Sequence, residues 1–184
     1  FLEGIVRNAD RLNAILGDLL SISRMESGHF DTPLESISLV QSVTNALVEL
    51  EEKRLKKNMV FVNNVESSIH VLANENDLEH VLFNLLNNAL NYTPDGGTIE
   101  VNAKLHDEHI QFEVKDNGPG IPPEHRGRIF ERFYRVDPGR SREVGGTGLG
   151  LAIVKHHVSI MGGSVGVEPV TPHGACFWVR LQRP

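Results

Sequence analysis

Apolar positions recur along this chain in two rhythms, one near 3.5 residues and one of 2, and the switches between them set the order of elements. Leu2, Ile5, Ala9, Leu12, Leu16 and Leu19 follow one another at spacings of 3, 4, 3, 4 and 3. That heptad seam predicts a helix over residues 1–28, too short to bury its apolar edge without a partner helix. No second heptad helix follows, and the chain opens on Phe1 rather than Met. The expectation is therefore a fragment of a longer protein whose preceding partner helix has been cut away. An amphipathic helix packed on its own domain is the alternative. Residues 29–37, with Pro33 and no periodicity, read as a linker.

The remaining pattern, 38–184, predicts one globular domain. Ser38 and Gln41 form a capping-box start for a helix carrying Leu39, Val43, Ala46, Leu47 and Leu50, which ends near Asn58 behind Lys53, Arg54, Lys56 and Lys57. Short strands are predicted over 59–65 and 69–73. Asn74 then caps a helix that Pro94-Asp95-Gly96-Gly97 stops. The alternating runs Ile99, Val101, Ala103, Leu105 and Ile110, Phe112, Val114 predict a β-hairpin. A helix over 124–133, a long loop, a helix over 148–161 and strands over 164–170 and 175–181 complete the domain. Without regular βαβ units, the prediction is an α+β fold: a mixed, mainly antiparallel sheet with helices on one face.

One helix departs from the usual amphipathic composition. In LEHVLFNLLNNALN, residues 78–91, Asn84, Asn87, Asn88, Asn91 and His80 share about a third of the circumference, opposite Leu78, Leu82, Leu85, Leu86 and Ala89. Asparagine costs a helix about half a kcal/mol relative to alanine, so solvation alone explains four of them poorly. Carboxamides offer neutral oxygens to a hard cation and donors to phosphate, without repelling an anion. The stripe predicts one wall of a magnesium–nucleotide pocket.

Composition narrows the setting. The chain has 184 residues, 40% of them hydrophobic, enough for one core plus an appendage, and no run approaches a membrane span. A net charge of -6 argues against nucleic acid as a partner. The single cysteine, Cys176, excludes a disulfide framework and fits a reducing cytoplasm; it reads as a small strand residue.

Two glycine clusters add chemistry. The second hairpin strand runs into Asp116-Asn117-Gly118-Pro119-Gly120, where a carboxylate can accept from an exocyclic amine and the glycines admit a flat ligand. By itself this string is equally a strand-ending turn. Gly145-Gly146-Thr147-Gly148-Leu149-Gly150 precedes an apolar helix, whose free N–H groups suit phosphate. It is neither a P-loop, since no Lys follows until Lys155, nor a dinucleotide-binding turn, since no strand precedes it. From Glu124 to Arg142 stand Arg126, Arg128, Arg132, Arg135, Arg140 and Arg142 against Glu124, Glu131 and Asp137, a positive stretch suited to a mobile lid over an anionic ligand.

These residues carry a family resemblance. N-L-L-N-N-A at 84–89, D-N-G-P-G at 116–120, I-F-E-R-F-Y-R at 129–135 and G-T-G-L-G-L at 146–151 resemble, in order and spacing, the N, G1, F and G2 boxes of sensor histidine kinases, within the superfamily that includes gyrase, heat-shock chaperones and mismatch-repair proteins. The resemblance runs along nearly the whole chain. It implies a two-layer α/β sandwich of the Bergerat type that binds ATP and Mg²⁺ under a lid spanning about residues 121–147. It makes Asn88 the Mg²⁺ ligand, Asn84 a phosphate-side contact, Tyr92 a flank of the adenine pocket and Asp116 the partner of the adenine amino group. Gly118, Gly120, Ile121, Gly146, Thr147, Gly148, Leu149 and Gly150 would shape the pocket, Arg135 would reach the γ-phosphate, and Phe130 and Phe133 would anchor the lid. The segment around Ser21-Ile22-Ser23-Arg24-Met25-Glu26 resembles the second helix of the dimerisation and phosphoacceptor hairpin. A response regulator is the implied partner, in a homodimeric, membrane-anchored parent of bacterial origin.

Two departures qualify the resemblance. Asn91 stands where the family often has Lys or Arg, so one phosphate contact is missing or supplied by the lid. No H-E-x-x-x-P string occurs, and none of the nine histidines, His156-His157 and lone His29, His70 and His173 among them, replaces the phosphoacceptor. The fragment alone is therefore not expected to autophosphorylate. Hydrolysing members of the superfamily are expected to place a Glu where this chain has Asn84. Water needs that base, whereas a neutral imidazole already offers a lone pair near pH 7, which favours transfer to histidine. A hydrolysing clamp ATPase, or a non-catalytic nucleotide-gated module, is the alternative.

Overall fold

The computed structural model describes residues 33–136 and 147–184. The expected dimerisation helix, Gly146, Arg140, Arg142 and the middle of the expected lid lie outside the described residues. In chain order the elements are β1 (Glu35–Ser38), α1 (Leu39–Lys56), β2 (Val60–Asn63), β3 (His70–Ala73), α2 (Glu75–Tyr92), β4 (Thr98–Leu105), β5 (His109–Asp116), the single turn α3 (Pro123–Arg126), α4 (Gly150–Ile160), β6 (Ser164–Pro169) and β7 (Ala175–Gln182).

Strands run in the order β2-β4-β5-β7-β6, with β1 and β3 in a separate antiparallel ribbon. β2 pairs with β4 in parallel and the other main-sheet pairs are antiparallel, so the expected mixed sheet forms. Period-2 alternation puts Ile110, Phe112, Val114 and Asp116 of β5 on the buried face, where β7 presents Ala175, Phe177, Val179 and Leu181. The register sets Val114 against Phe177 and Phe112 against Val179. Against this face lies the helical layer, with α2 packed on both α1 and α4. From α2 alone Leu78, Val81, Leu82, Leu85, Leu86, Ala89 and Leu90 are buried, each large side chain contributing about 1.5–3 kcal/mol. Its asparagine stripe is left facing away from that core.

Both ends of α2 are tied. The Asn74 side chain accepts from Asp77 N at 3.2 Å, as the sequence predicts. The last turn of α2 has no basic residue, and Lys57 from α1 supplies the cation, donating Nζ to Leu90 O at 2.7 Å and Thr93 O at 2.6 Å.

Three expectations are corrected. Residues 35–37, expected in the linker, belong to β1, which pairs with β3 from Glu35↔Ala73 to Ser38↔His70. The Ser38–Gln41 capping box does not form, because that pairing lets Leu39 N donate to Ile69 O at 3.1 Å, and the Gln41 amide turns to Asn45 Oδ1 instead. The helix expected over 124–133 is one turn, closing in Gly127. Phe133 takes φ 63, a left-handed conformation that no helix continues, and its N–H donates to Gly148 O at 2.9 Å.

Candidate nucleotide-binding site

At the end of β5, Asp116 is buried, and its Oδ1 accepts from Gly118 N at 2.8 Å and Ala175 N at 3.3 Å. Its Oδ2 has no hydrogen-bond partner among the described residues. Burial pushes the carboxyl above its ordinary range, against the lowering effect of the two N–H donors. A carboxylate so placed, with one oxygen committed and one open, is suited to a neutral amine donor.

Main chain crowds round it. A Cβ at Gly118 would lie 2.9 Å from Asp116 Oδ1, and one at Gly120, where φ is +76, would lie 2.8 Å from Gly174 O. Asn117 Oδ1 accepts from Thr98 N at 2.8 Å, and His173 Nδ1 lies 3.1 Å from Gly118 O. Thr93 is buried with its hydroxyl unpartnered among the described residues. Tyr92 is exposed, and half-buried Ile121 packs on the core while its carbonyl accepts from Arg126 Nε at 2.9 Å.

Packing divides the asparagine stripe of α2 in two. Lys53 of α1 donates Nζ to Asn87 Oδ1 at 2.6 Å and also to Asn91 Oδ1. Asn84 donates Nδ2 to His80 O at 2.8 Å, which aims its oxygen toward α4, where a Cβ at Gly150 would lie 2.8 Å from Asn84 Oδ1. No hydrogen bond engages Asn84 Oδ1 or the Asn88 carboxamide among the described residues. Two neutral oxygens one turn apart thus remain for a hard cation, and the residues present fit Mg²⁺ with an attached phosphate.

The start of α4 lies against this edge, with Gly150 beside Asn84. α4 starts at Gly150, two residues later than expected, with no side-chain cap on its first N–H groups. Gly148 has φ +76, and a Cβ there would lie 2.9 Å from Phe133 C. Thr147 Oγ1 accepts from Leu149 N at 3.2 Å; the Leu149 side chain is buried beside Ile153, so Leu149 faces the site with main chain only. Nη2 of Arg135 is buried and has no partner among the described residues. A buried N–H donor left unpaired is costly unless an acceptor meets it.

The two expected lid anchors differ. Phe130 packs edge-on against Phe177, ring centroids 6.4 Å apart, whereas Phe133 is 65% exposed and is tied to Gly148 through its backbone. Sequence reasoning missed Lys53, read only as a basic residue closing α1, and the 173–174 turn beneath Asp116. Neither carries a motif, since both act across long sequence separations.

The histidine kinase-, DNA gyrase B-, and HSP90-like ATPase family matches residues 73–184. Sensor histidine kinase WalK of Bacillus subtilis strain 168 is 32% identical over 98% of this chain and 30% of its own length. Among solved structures, the mycobacterial sensor histidine kinase MprB superposes with a TM-score of 0.72 at 31% identity, over 82% of this chain and 99% of that one. Full-length ShkA, crystallised with AMPPNP, gives 0.82 at 30% identity over 95% of this chain and 36% of that one. The chain spans less than half the length of the curated relatives it matches first. With this family match and the four boxes in order along the chain, the chain belongs to the histidine kinase-, DNA gyrase B- and HSP90-like ATPase family, among the catalytic domains of sensor histidine kinases.

Proposed function

We propose that this chain binds Mg-ATP along the open edge of α2 and transfers the γ-phosphoryl group to a histidine on a dimerisation helix, for relay to an aspartate of a response regulator. The carrying observation is the division of the stripe, which leaves Asn84 Oδ1 and Asn88 unengaged while every other asparagine oxygen on it is taken. Asp116 receives the adenine amine. Asn88, with Asn84 beside it, holds Mg²⁺, and Arg135 meets the terminal phosphate. Mg²⁺ offsets the charge of the phosphates. The full-length ShkA structure carries AMPPNP, an ATP analogue, which supports this assignment of ligand class.

In the transfer, the bond from the γ-phosphorus to the bridging oxygen breaks and a bond to the imidazole nitrogen forms. ADP leaves with the bridging oxygen, and the imidazole proton passes to solvent. Positioning and charge supply the acceleration. A hydrolysing clamp would need a base where Asn84 stands, and an amide cannot deprotonate water. The parent is proposed to be a membrane-anchored homodimer. No helix of the described residues is long and apolar enough to cross a membrane, which puts any helical anchor elsewhere.

Calorimetric titration of Mg-ATP against the chain, Asn88→Ala and Asp116→Asn tests the pocket. A separate acceptor helix, supplied with labelled ATP, tests the transfer. We expect weaker binding in both variants, acid-labile phosphate on the supplied histidine and hydrolysis far below about 1 s⁻¹. Equal affinity in all three proteins, or turnover near 1 s⁻¹ without acceptor, overturns the reading.

A further inference from the structure

Lys53, at the edge between α1 and α2, has no anionic partner among the described residues. Its stem runs from the last turns of α1 to the groove edge of α2, where Nζ is held by Asn87 and Asn91. Both are neutral oxygens, and no carboxylate forms an ion pair with Lys53 among the described residues. The nearest charge that acts on it is Lys57, of the same sign, already committed to Leu90 O and Thr93 O. Burial and Lys57 together push the Lys53 ammonium down to about 8. A salt bridge to a carboxylate would have had the opposite effect. A half-buried ammonium placed by two carboxamides, with a third of its donors left over, is an incomplete arrangement in a protein of net charge -6.

We propose that Lys53 contacts the polyphosphate of the bound nucleotide, so that helix α1 supplies the cation that α2 lacks at Asn91. The inference rests on the Mg-ATP reading given above. Asn91 and Asn87 are then positioning residues that steer the ammonium, and Asn84 and Asn88 serve the metal. Within one stripe, Asn84 faces the start of α4, while Asn87 and Asn91 meet Lys53 of α1. The phosphates between these edges meet Arg135 from the F box and Lys53 from α1. Lys57 keeps the end of α2 in place and leaves Lys53 free to act on ligand.

A purely structural Lys53 would do no more than tie α1 to α2, and the two roles separate by ligand. Mg-ATP and adenosine are titrated by calorimetry against the 184-residue chain, Lys53→Met, Lys53→Met/Asn91→Lys and Asp116→Asn. Removing one charge-assisted contact should weaken Mg-ATP about 10-fold and leave adenosine within about twofold. Returning the charge from α2 itself in the double variant should restore most of that loss. Lys53→Gln, which keeps a donor for the carboxamides without the charge, is read in the same way should Lys53→Met not fold. The proposal is overturned if Mg-ATP binds the variant as tightly as the parent, if ATP and adenosine weaken alike, or if the relocated charge restores nothing. Asp116→Asn separates the two readings: unchanged adenosine and ATP affinity there removes the pocket itself, whereas weakened binding there with an unaffected Lys53→Met removes only this inference.

Discussion

The two ends of the groove are built differently. Around Asp116 the walls are main chain: Gly118, Gly120 and Gly174 approach so closely that side chains are excluded, and the carboxylate is buried with one oxygen already bound. At the other end, side chains of α1 and α2 meet, and Asn84 Oδ1 and the Asn88 carboxamide make no hydrogen bond among the described residues. On the proposed function the first end would receive the neutral adenine, for which rigid backbone and a fixed acceptor suffice, and the other end would meet the phosphates and Mg²⁺. Lys53 there has only neutral oxygens beside it, so that end would be completed by an anionic ligand rather than by packing.

That contrast is tested most severely at Asp116. Asp116→Asn should lower Mg-ATP affinity about 100-fold and erase the preference for ATP over GTP, read by calorimetry. Because burial raises the folded-state pKa of Asp116, its ionisation lowers stability as pH rises through and above the ordinary carboxylate range. Asp116→Asn should therefore melt no lower than the parent at pH 7, with any gain closing at acid pH where both states are protonated. A large drop in Tm at pH 7 would mean that the carboxylate is a structural member.

Gly120→Ala should cost about 2 kcal/mol of folding stability, since φ is +76 and the added carbon meets the Gly174 carbonyl. Unchanged urea midpoints would show that the base end is softer than described. Asn88→Ala should weaken Mg-ATP about 10-fold yet leave metal-free nucleotide binding and Tm alone, because its carboxamide makes no bond within the fold. Equal weakening with and without magnesium would remove it as a metal ligand. The smallest effect is expected for Lys57→Met, about 1 kcal/mol of stability from the frayed end of α2 with ATP-to-adenosine selectivity kept; a loss of selectivity would make Lys57, not Lys53, the ligand cation.

Much of this was legible along the chain. The Asn74 cap, the 99–114 hairpin and the sharing of one helix face by four asparagines depend on neighbours a few residues away, and the structure has them as expected. The misread stretches share a cause. Residues 35–37 carry no periodicity of their own and become a strand because β3 offers them a ladder. The segment from Glu124 has helical composition but is pulled out of helix where Phe133 N finds Gly148 O.

The sequence by itself determined the order of elements, the face on which the asparagines stand and the two glycine strings that flank it, since each is a matter of local period or local turn chemistry. Only the tertiary structure decided what each of those groups does. Lys53 reaches Asn87 across 34 residues and Asn91 across 38, and Ala175 reaches Asp116 across 59. Identical carboxamides on one stripe acquire different tasks according to which helix lies beside them, and that depends on packing, which no local pattern encodes.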